Sequence, residues 1–133
     1  MQKRSARRAH KEQERKSDVL SKIASTESIE EILQLTYHED PEIRVRAAQQ
    51  LCPCRVQRDN PEFWERIFEL CVDPSPKVRF QILHDICDGS PAHYENEVSR
   101  ALEIFNRDKD EHIKRMAHKA LASYLRTGNW NVL

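Results

Sequence analysis

The sequence has little of what several large protein classes require. It contains only two glycines, Gly89 and Gly128, and no alternation of β-branched and polar residues, so β-strands have little support. No apolar run approaches the roughly 18 residues of a membrane span, and the N-terminal segment holds no apolar core of a secretory signal. Lys and Arg equal Asp and Glu in number, which disfavours a uniformly basic nucleic-acid binder. A single α-helical domain in the cytoplasm or the nucleus is the expectation.

The sequence also lacks the motifs of catalysis and of cofactor binding. No Ser/His/Asp spacing, glycine-rich phosphate loop or H-E-x-x-H run occurs, so we expect neither an enzyme nor a cofactor. The four cysteines do not form the spaced pairs of a zinc site: they are Cys52, Cys54, Cys71 and Cys87. We expect them to be reduced thiols, with burial favoured over metal binding. No metal site is predicted.

Proline and good N-cap residues mark the starts of helices. Four prolines directly follow such a residue, in the pairs Asp40-Pro41, Asn60-Pro61, Ser75-Pro76 and Ser90-Pro91. Asp110 is a fifth start without proline, and Ser25 or Thr26 is a sixth. Apolar residues recur at spacings of three and four between these starts. The pattern predicts six helices, near residues 26–39, 41–52, 61–72, 76–88, 91–106 and 111–126.

The predicted helices repeat with a shift of 35 residues. The stretches DPEIRVRAAQQL, SPKVRFQILHDI and DEHIKRMAHKAL, which start at residues 40, 75 and 110, align without a gap. Their apolar positions lie four apart and form one stripe on each helix. The columns are Ile43, Val78 and Ile113; Ala47, Ile82 and Ala117; and Leu51, Ile86 and Leu121. Three stacked helical pairs are predicted, because an isolated pair cannot cover its apolar face.

A basic column follows the first apolar column, and aspartates occupy the turns. The basic residues are Arg44, Arg79 and Lys114, and the aspartates are Asp40, Asp73 and Asp108. With Val-Arg at the start of the second helix and Asp in the turn, the chain resembles HEAT-repeat proteins over roughly residues 26 to 126. The resemblance implies a short right-handed α-solenoid of three helix-turn-helix repeats, at residues 25–54, 60–89 and 90–127.

The resemblance also implies a role for the two columns. In HEAT repeats the turn aspartate and the helix arginine commonly pair between neighbouring units as a structural ladder. For the six residues of the columns, this structural role is therefore favoured over contact with a ligand. Partner binding is expected to rest on other residues.

Charge divides between the two helices of each predicted pair. The first helices carry most of the acidic residues and the second helices most of the basic ones. If the second helices line the concave side of a solenoid, they form a basic groove that attracts acidic peptides or phosphates. The alternative is that solvated helix faces simply carry charge. The groove candidates for partner binding are Arg46, Arg115 and Lys119.

The two ends of the sequence lie outside the repeat register. Residues 1–24 are predicted to be a basic arm, helical or disordered, which contacts an anionic partner or serves as a solubilising or localisation tail. Its candidates for partner contact lie within one broad helical arc: Arg4, Arg7, Arg8, Lys11 and Arg15. The tail at residues 128–133 either caps the last repeat or docks on a partner through Trp130.

Two classes of function remain. The leading interpretation is a non-catalytic HEAT-like adaptor or scaffold that binds a macromolecule, with a protein as the first choice of partner. The alternative is an RNA- or DNA-associated factor whose arm and groove contact phosphates. A HEAT-like DNA glycosylase and a relative of the bilin lyases are disfavoured; the glycosylase's catalytic aspartate and aromatic residues do not map onto this sequence. No membrane and no small-molecule substrate is expected.

Overall fold

Seven α-helices make up the described part of the protein in the computed structural model, which covers the backbone of residues 2–51 and 60–133 and their side chains from residue 5 onward. They are α1 (Gln2–Ser25), α2 (Ile29–Leu35), α3 (Pro41–Gln50), α4 (Pro61–Glu69), α5 (Pro76–Gly89), α6 (Glu95–Phe105) and α7 (Glu111–Thr127). Two 3₁₀ turns, Leu70–Val72 and Ala92–Tyr94, adjoin α4 and α6. No strand occurs in these two ranges. The prediction of an all-α fold is confirmed.

The predicted cap residues explain four of the helix starts. The side chains of Asp40 and Asn60 each accept a hydrogen bond from the backbone N–H two residues later, at the starts of α3 and α4. Ser75 and Asp110 cap α5 and α7. Each cap satisfies an N–H group that the first helical turn cannot pair internally. These four starts are where the pattern of caps and prolines predicts them.

The predicted start of the first repeat helix is wrong. The helix α2 begins at Ile29, not near residue 26. Ser28 accepts the capping hydrogen bond from the backbone N–H of Glu31, while the Thr26 hydroxyl donates to the Glu31 carboxylate. Neighbouring hydroxyl groups compete for the same cap, and the sequence pattern does not rank them.

The predicted start at Ser90-Pro91 is also wrong. The Ser90 hydroxyl donates to the backbone carbonyl of Ile86, 2.7 Å away, and so belongs to the end of α5. A 3₁₀ turn follows, and α6 begins only at Glu95. Pro91 precedes the 3₁₀ turn in an extended conformation that suits its fixed φ.

The second helices of the predicted pairs pack side by side. The helix α3 contacts α5 and α5 contacts α7, while α2 lies against α3, α4 against α5, and α6 against α7. Of the nine residues in the three apolar columns, eight are buried, and Leu121 packs partly buried against the core. The predicted apolar stripe is confirmed for these helices.

The first helix has two halves in different environments. Residues 5–15 are exposed along their whole length. The second half packs on α3, and Ile23 in this half is only 2% exposed. The Nζ atom of Lys16 lies 3.1 Å from the Asp40 carboxylate and 2.6 Å from that of Glu42, so ion pairs join this half to the start of α3. The predicted arm is therefore helical, and its second half belongs to the packed fold instead of lying outside it.

The C-terminal segment folds back on the protein. Gly128 ends α7 with a φ of 78°, a left-handed conformation that glycine adopts without strain. Trp130 then donates its indole N–H to the Ser90 hydroxyl at 2.8 Å. Val132 and Leu133 pack, partly buried, against the core. These contacts favour the capping alternative for the tail over docking of Trp130 on a partner.

Candidate functional site

Two arginines of the basic column are nearly buried and pair with the turn of the next helical pair. Arg44 donates two hydrogen bonds to Asp73, from Nε and Nη2, each 3.0 Å long. Arg79 repeats the arrangement on Asp108, with bonds of 2.8 and 3.0 Å. The remaining Nη1 of each arginine donates to two backbone carbonyls in the turn before its own helix. Both guanidinium groups are thus engaged within the protein, in the contacts that the ladder expectation describes.

Burial and hydrogen bonding act in opposite directions on the acid of the second pair. Burial by itself would raise the pKa of Asp108. The hydrogen bonds from Arg79, helped by the backbone N–H of Asp110, outweigh burial and hold the pKa of Asp108 below its usual value. The pair is therefore ionised at neutral pH, and losing either partner leaves a charge with little access to water.

Asp40 does not stand in the same column as Asp73 and Asp108, so its predicted place in the ladder is wrong. A shift of 35 residues places His38 in that column, and His38 Nδ1 accepts a hydrogen bond from the backbone N–H of Asp40 at 2.9 Å. Asp73 and Asp108 each accept the equivalent bond from the residue two positions later. Asp40 is the N-cap of α3, and the hydrogen bond from Lys16 holds its pKa below the usual value.

Lys114, the third basic residue of the column, has a different environment. Its side chain is exposed, and no hydrogen bond or ion pair joins it to another residue in the described ranges. One turn further along α7, His118 is exposed too, although Ala48 and Leu83 at the equivalent positions are buried. Lys114 therefore lies on a side of α7 against which no other described helix packs.

A second set of basic residues is exposed on the second helices. We term this set the basic face; it consists of Arg46 on α3, Lys77 and His84 on α5, and His112, Arg115 and Lys119 on α7. Spacings of three, four and seven residues keep the members on one side of each helix. Because α5 packs against α7, their two rows lie next to each other, and Arg46 lies on α3, which packs against the other side of α5.

Few groups in the protein neutralise the basic face. The side chains of Lys77 and Lys119 make no hydrogen bond or ion pair within the described residues. Arg115 bonds through Nε to a backbone carbonyl of its own helix, which leaves its charge uncompensated. Two nearby acids are occupied, because Glu42 pairs with Lys16 of α1 and the carboxylate of Asp110 caps α7. The face therefore presents positive charge that is available to an anionic ligand.

An aromatic pair and a cleft lie within the basic face. The rings of Phe80 and His112 stack with their centroids 4.8 Å apart and their planes 27° from parallel. Beside them is a cleft of about 510 Å³ between α3, α5 and α7. Val45 and Phe80 give it apolar surface, and Lys77 and His112 give it polar edges. Clefts of several hundred Å³ are large enough to enclose ligand groups.

The first helices carry the opposite charge. Their exposed acids are Glu30 and Glu31 on α2, Glu62, Glu65 and Glu69 on α4, and Glu95, Glu97 and Glu103 on α6.

Arg66 on α4 is a basic residue among these acids, and the sequence pattern did not indicate its role. It donates hydrogen bonds to the hydroxyl and the carbonyl of Thr36 and lies 3.6 Å above the Tyr37 ring. This contact joins α4 to the end of α2, and no repeated column signals it, because Glu31 and Ala101 occupy the equivalent positions.

The predicted partner-binding residues fall into three environments. Arg46, Arg115 and Lys119 lie on the basic face. Arg7, Arg8, Lys11 and Arg15 lie on the exposed half of α1, where Arg8 pairs with Glu12 of the next turn. Trp130 is engaged with Ser90 of its own chain. The side chain of Arg4 is outside the described residues. The exposed half of α1 and the basic face are two candidate surfaces, and Arg46 lies between them because it lines a cleft together with residues of α1.

Asp85 is a buried acid that the sequence analysis did not single out. It is 0% exposed; its Oδ1 accepts a hydrogen bond from Gln81 at 2.9 Å, and Oδ2 has no hydrogen-bond partner among the described residues. Burial, with a smaller contribution from the nearby Asp88, raises the pKa of Asp85 to about 8. Asp85 is therefore mainly protonated at neutral pH. Gln50 and Ala120 occupy the equivalent repeat positions, so no column predicts it.

The cysteines behave as core residues where they are described. Cys71 and Cys87 are buried free thiols, and burial raises the pKa of each to about 12. A thiol with so high a pKa is a poor nucleophile and a poor metal ligand at neutral pH. In the described ranges no group of three or more His, Cys, Asp or Glu side chains is placed to hold a metal ion. Cys52 and Cys54 lie outside those ranges.

The remaining observations concern membranes and known proteins. Among the described helices, none is both long enough and apolar enough to cross a bilayer. Function is inferred from the two sets of cations themselves, since comparison of the chain with protein-family models, curated proteins and solved structures finds no match.

Proposed function

We propose that the protein is a non-catalytic HEAT-like adaptor that binds an acidic segment of a partner protein on its basic face. The contrast between the two sets of cations carries the proposal. Arg44 and Arg79 are engaged inside the fold, whereas Lys77 and Lys119 are exposed and unpaired within the described residues. Exposed, uncompensated charge attracts a ligand of opposite sign and speeds its association.

The proposed architecture is a short right-handed α-solenoid of three repeats, at residues 25–54, 60–89 and 90–127. Three observations support it: the shift of 35 residues, the packing of α3, α5 and α7 in a row, and the Arg–Asp contact that recurs between successive pairs. In such a solenoid one set of helices lines a concave surface that suits extended ligands. The basic face then lies in a groove.

A protein partner fits this face better than a single-stranded nucleic acid. Proteins that bind single strands stack successive bases on several aromatic rings. The basic face has one aromatic pair, Phe80 with His112, and its next apolar residue is the aliphatic Val45. Cations interspersed with one apolar cleft match a peptide whose carboxylates flank apolar side chains.

The proposal is tested by titrating the protein with a fluorescent peptide rich in Asp and Glu and with the same peptide carrying Asn and Gln instead. We expect the acidic peptide to bind more tightly. The double variant Lys77→Glu/Arg115→Glu should weaken it roughly tenfold or more, because two attractive contacts become repulsive. Arg100→Glu is the matched control, since Arg100 is exposed on α6 and lies outside the basic face. Equal affinities of the double variant and the control would refute the proposal.

Loss of binding in the double variant should not come from unfolding. Lys77 is the second residue of α5, directly after Pro76, and a glutamate there interacts favourably with the positive end of the helix dipole. Arg115 is exposed on α7. The melting temperatures of the double variant and of Arg100→Glu should therefore agree with that of the unmodified protein within about 2 °C.

The exposed half of α1 favours a second candidate function, binding of RNA or DNA. Arg7, Arg8, Lys11 and Arg15 lie there together on an exposed stretch of helix that contributes nothing to the core. If they contact phosphates, the logarithm of affinity should fall with the logarithm of salt by roughly 0.7 to 0.9 per phosphate neutralised. Removing residues 2–14 should abolish that binding. Absence of binding to mixed RNA and DNA at low salt would exclude this function.

A further inference from the structure

We infer that the cleft beside Phe80 is an anchor site that takes one large apolar side chain, aromatic or aliphatic, from the bound acidic segment. The inference rests on the proposed function and adds a rule of specificity to it. The partner's segment is expected to carry one such side chain between carboxylates. Charge density alone is not expected to be sufficient for tight binding.

The walls of the cleft come from three helices that the core holds in place. Val45 of α3, Phe80 of α5 and the edge of Ile113 of α7 contribute apolar surface. Ile113 is buried, and Val45 and Phe80 are partly buried, so their positions are set by packing within the protein. A preformed cleft of this kind loses little conformational freedom when a side chain enters it.

Phe80 lies at the edge of the core, where it packs partly buried. At a shift of 35 residues it aligns with Val45 and Arg115, next to the buried columns instead of within them. Stacking on His112 covers part of the ring and orients it, and the rest faces the cleft. A large apolar side chain that is only partly buried and lines a cleft can add apolar contact to an interaction site.

Basic residues flank the cleft on α5 and follow it on α7. On α5, Lys77 precedes Phe80 by three residues and His84 follows it by four. On α7, His112 lies at the cleft and Arg115 follows one turn later. The acid at the cleft, Asp110, accepts hydrogen bonds from the backbone N–H groups of His112 and Ile113. A peptide with its apolar side chain in the cleft therefore places its flanking carboxylates near lysine and arginine.

The anchor should account for a measurable share of the affinity. Burying a Leu or Phe side chain contributes enough to change a dissociation constant by roughly ten- to a hundredfold relative to alanine. Each exposed ion pair contributes less than the anchor to the binding free energy. The ion pairs therefore affect the rate of association more than the affinity. Anchor identity and flanking charge can therefore be separated in a binding series.

The test uses the full chain and a series of nine-residue peptides with Asp and Glu on both sides of a central Phe, Leu or Ala. We expect the Phe and Leu peptides to bind the unmodified protein at least tenfold more tightly than the Ala peptide. Phe80→Ala should reduce that ratio towards one. Val45→Ser gives an independent variant on another helix and should reduce the ratio as well, while Val72→Ser is the matched control on an exposed residue remote from the cleft.

The possible results distinguish the two proposals. An anchor preference that disappears in Phe80→Ala and in Val45→Ser supports the inference. Equal binding of the Phe, Leu and Ala peptides overturns the anchor site and leaves the acidic-segment adaptor intact. Failure of all acidic peptides to bind, or tighter binding of an oligouridine at the same cleft, overturns both.

Discussion

Arginines and lysines of the same helices play two different roles in this protein. Arg44 and Arg79 are nearly buried, and each forms a two-pronged contact with an aspartate of the next helical pair. Arg46, only two residues after Arg44, is exposed on the basic face. Residue type does not separate the roles, since the same side chain occurs in both. The position in the helical turn decides whether the cation is used inside the fold or remains available to a ligand.

The comparison extends to the acids that are buried. Asp73 and Asp108 receive guanidinium groups, whereas Asp85 receives one hydrogen bond from the neutral amide of Gln81. A buried carboxylate without a cation is more stable as the neutral acid. At Asp108 the hydrogen bonds from Arg79 outweigh burial, whereas Asp85 has no cation to offset it.

The largest expected effect comes from removing a buried cation. Arg79→Ala should lower the free energy of unfolding by about 3 kcal/mol, because it leaves Asp108 as a poorly solvated, unpaired charge. Lys114→Ala, at the equivalent position of α7, should change it by less than about 0.5 kcal/mol because Lys114 is exposed. Urea denaturation followed by circular dichroism measures both. Arg79→Lys should restore only part of the loss, since lysine cannot donate the two-pronged contact. If Arg79→Ala and Lys114→Ala lower the free energy of unfolding by similar amounts, the two residues do not differ in their contribution to stability, and the account is contradicted.

A pH-dependent effect is expected at Asp85. Because its pKa is raised to about 8 in the folded state, the native protein holds this proton more tightly than the unfolded chain, whose Asp pKa is about 3.9. The contribution of Asp85 to stability is therefore full at low pH and is lost as pH rises towards 8. Asp85→Asn removes this loss, so the stability of the variant relative to the unmodified protein should rise as pH increases between these values.

The control for this effect is Asp18→Asn, because Asp18 is exposed on α1. Urea denaturation at a series of pH values between 5 and about 8 gives the required curves. A pH-independent difference between Asp85→Asn and the unmodified protein would show that Asp85 is already ionised in the fold.

The smallest effect is expected from the exposed half of α1. Removing residues 2–14 should leave the melting temperature within about 2 °C, because these residues bury no apolar surface where they are described. Ile23→Ala, in the packed half, should lower stability by about 2 kcal/mol or more because Ile23 is buried. Differential scanning calorimetry compares the two. A large loss on truncation would show that the whole helix is part of the fold.

Much of the fold was predictable because its signals repeat. The buried stripe and the caps at Asp40, Asn60, Ser75 and Asp110 follow from periodic spacing and strong local chemistry. The pairing of Arg44 and Arg79 with turn aspartates was implied by the resemblance to HEAT repeats. The failures have local causes. The hydroxyl of Ser90 bonds backwards to α5, and that of Ser28 caps α2 in place of an earlier one. Which hydroxyl group caps a helix depends on competition between neighbouring side chains, and a sequence pattern does not show which of them is favoured.

The candidate site was predictable only in part. Arg46, Arg115 and Lys119 were identified from charge and register. Phe80 and His112 were not, because their contact joins two helices and depends on how α5 and α7 pack. The sequence did contain a signal. Phe80 shares a column with Val45 and Arg115, outside the core columns, and a large apolar residue in such a column can indicate a contact surface. The predicted arm at residues 1–24 was too long, since Lys16 and Ile23 in the second half of α1 contact the packed protein.

The central claim is that the exposed cations of the second helices, and not those of the first half of α1, receive the ligand. An NMR titration of ¹⁵N-labelled protein with the acidic peptide tests it directly. The account predicts that amide shifts change most at Lys77, Phe80, His84, His112 and Arg115, with little change on α2, α4 and α6. Shift changes concentrated at residues 5–15, or on the acidic first helices, would contradict it.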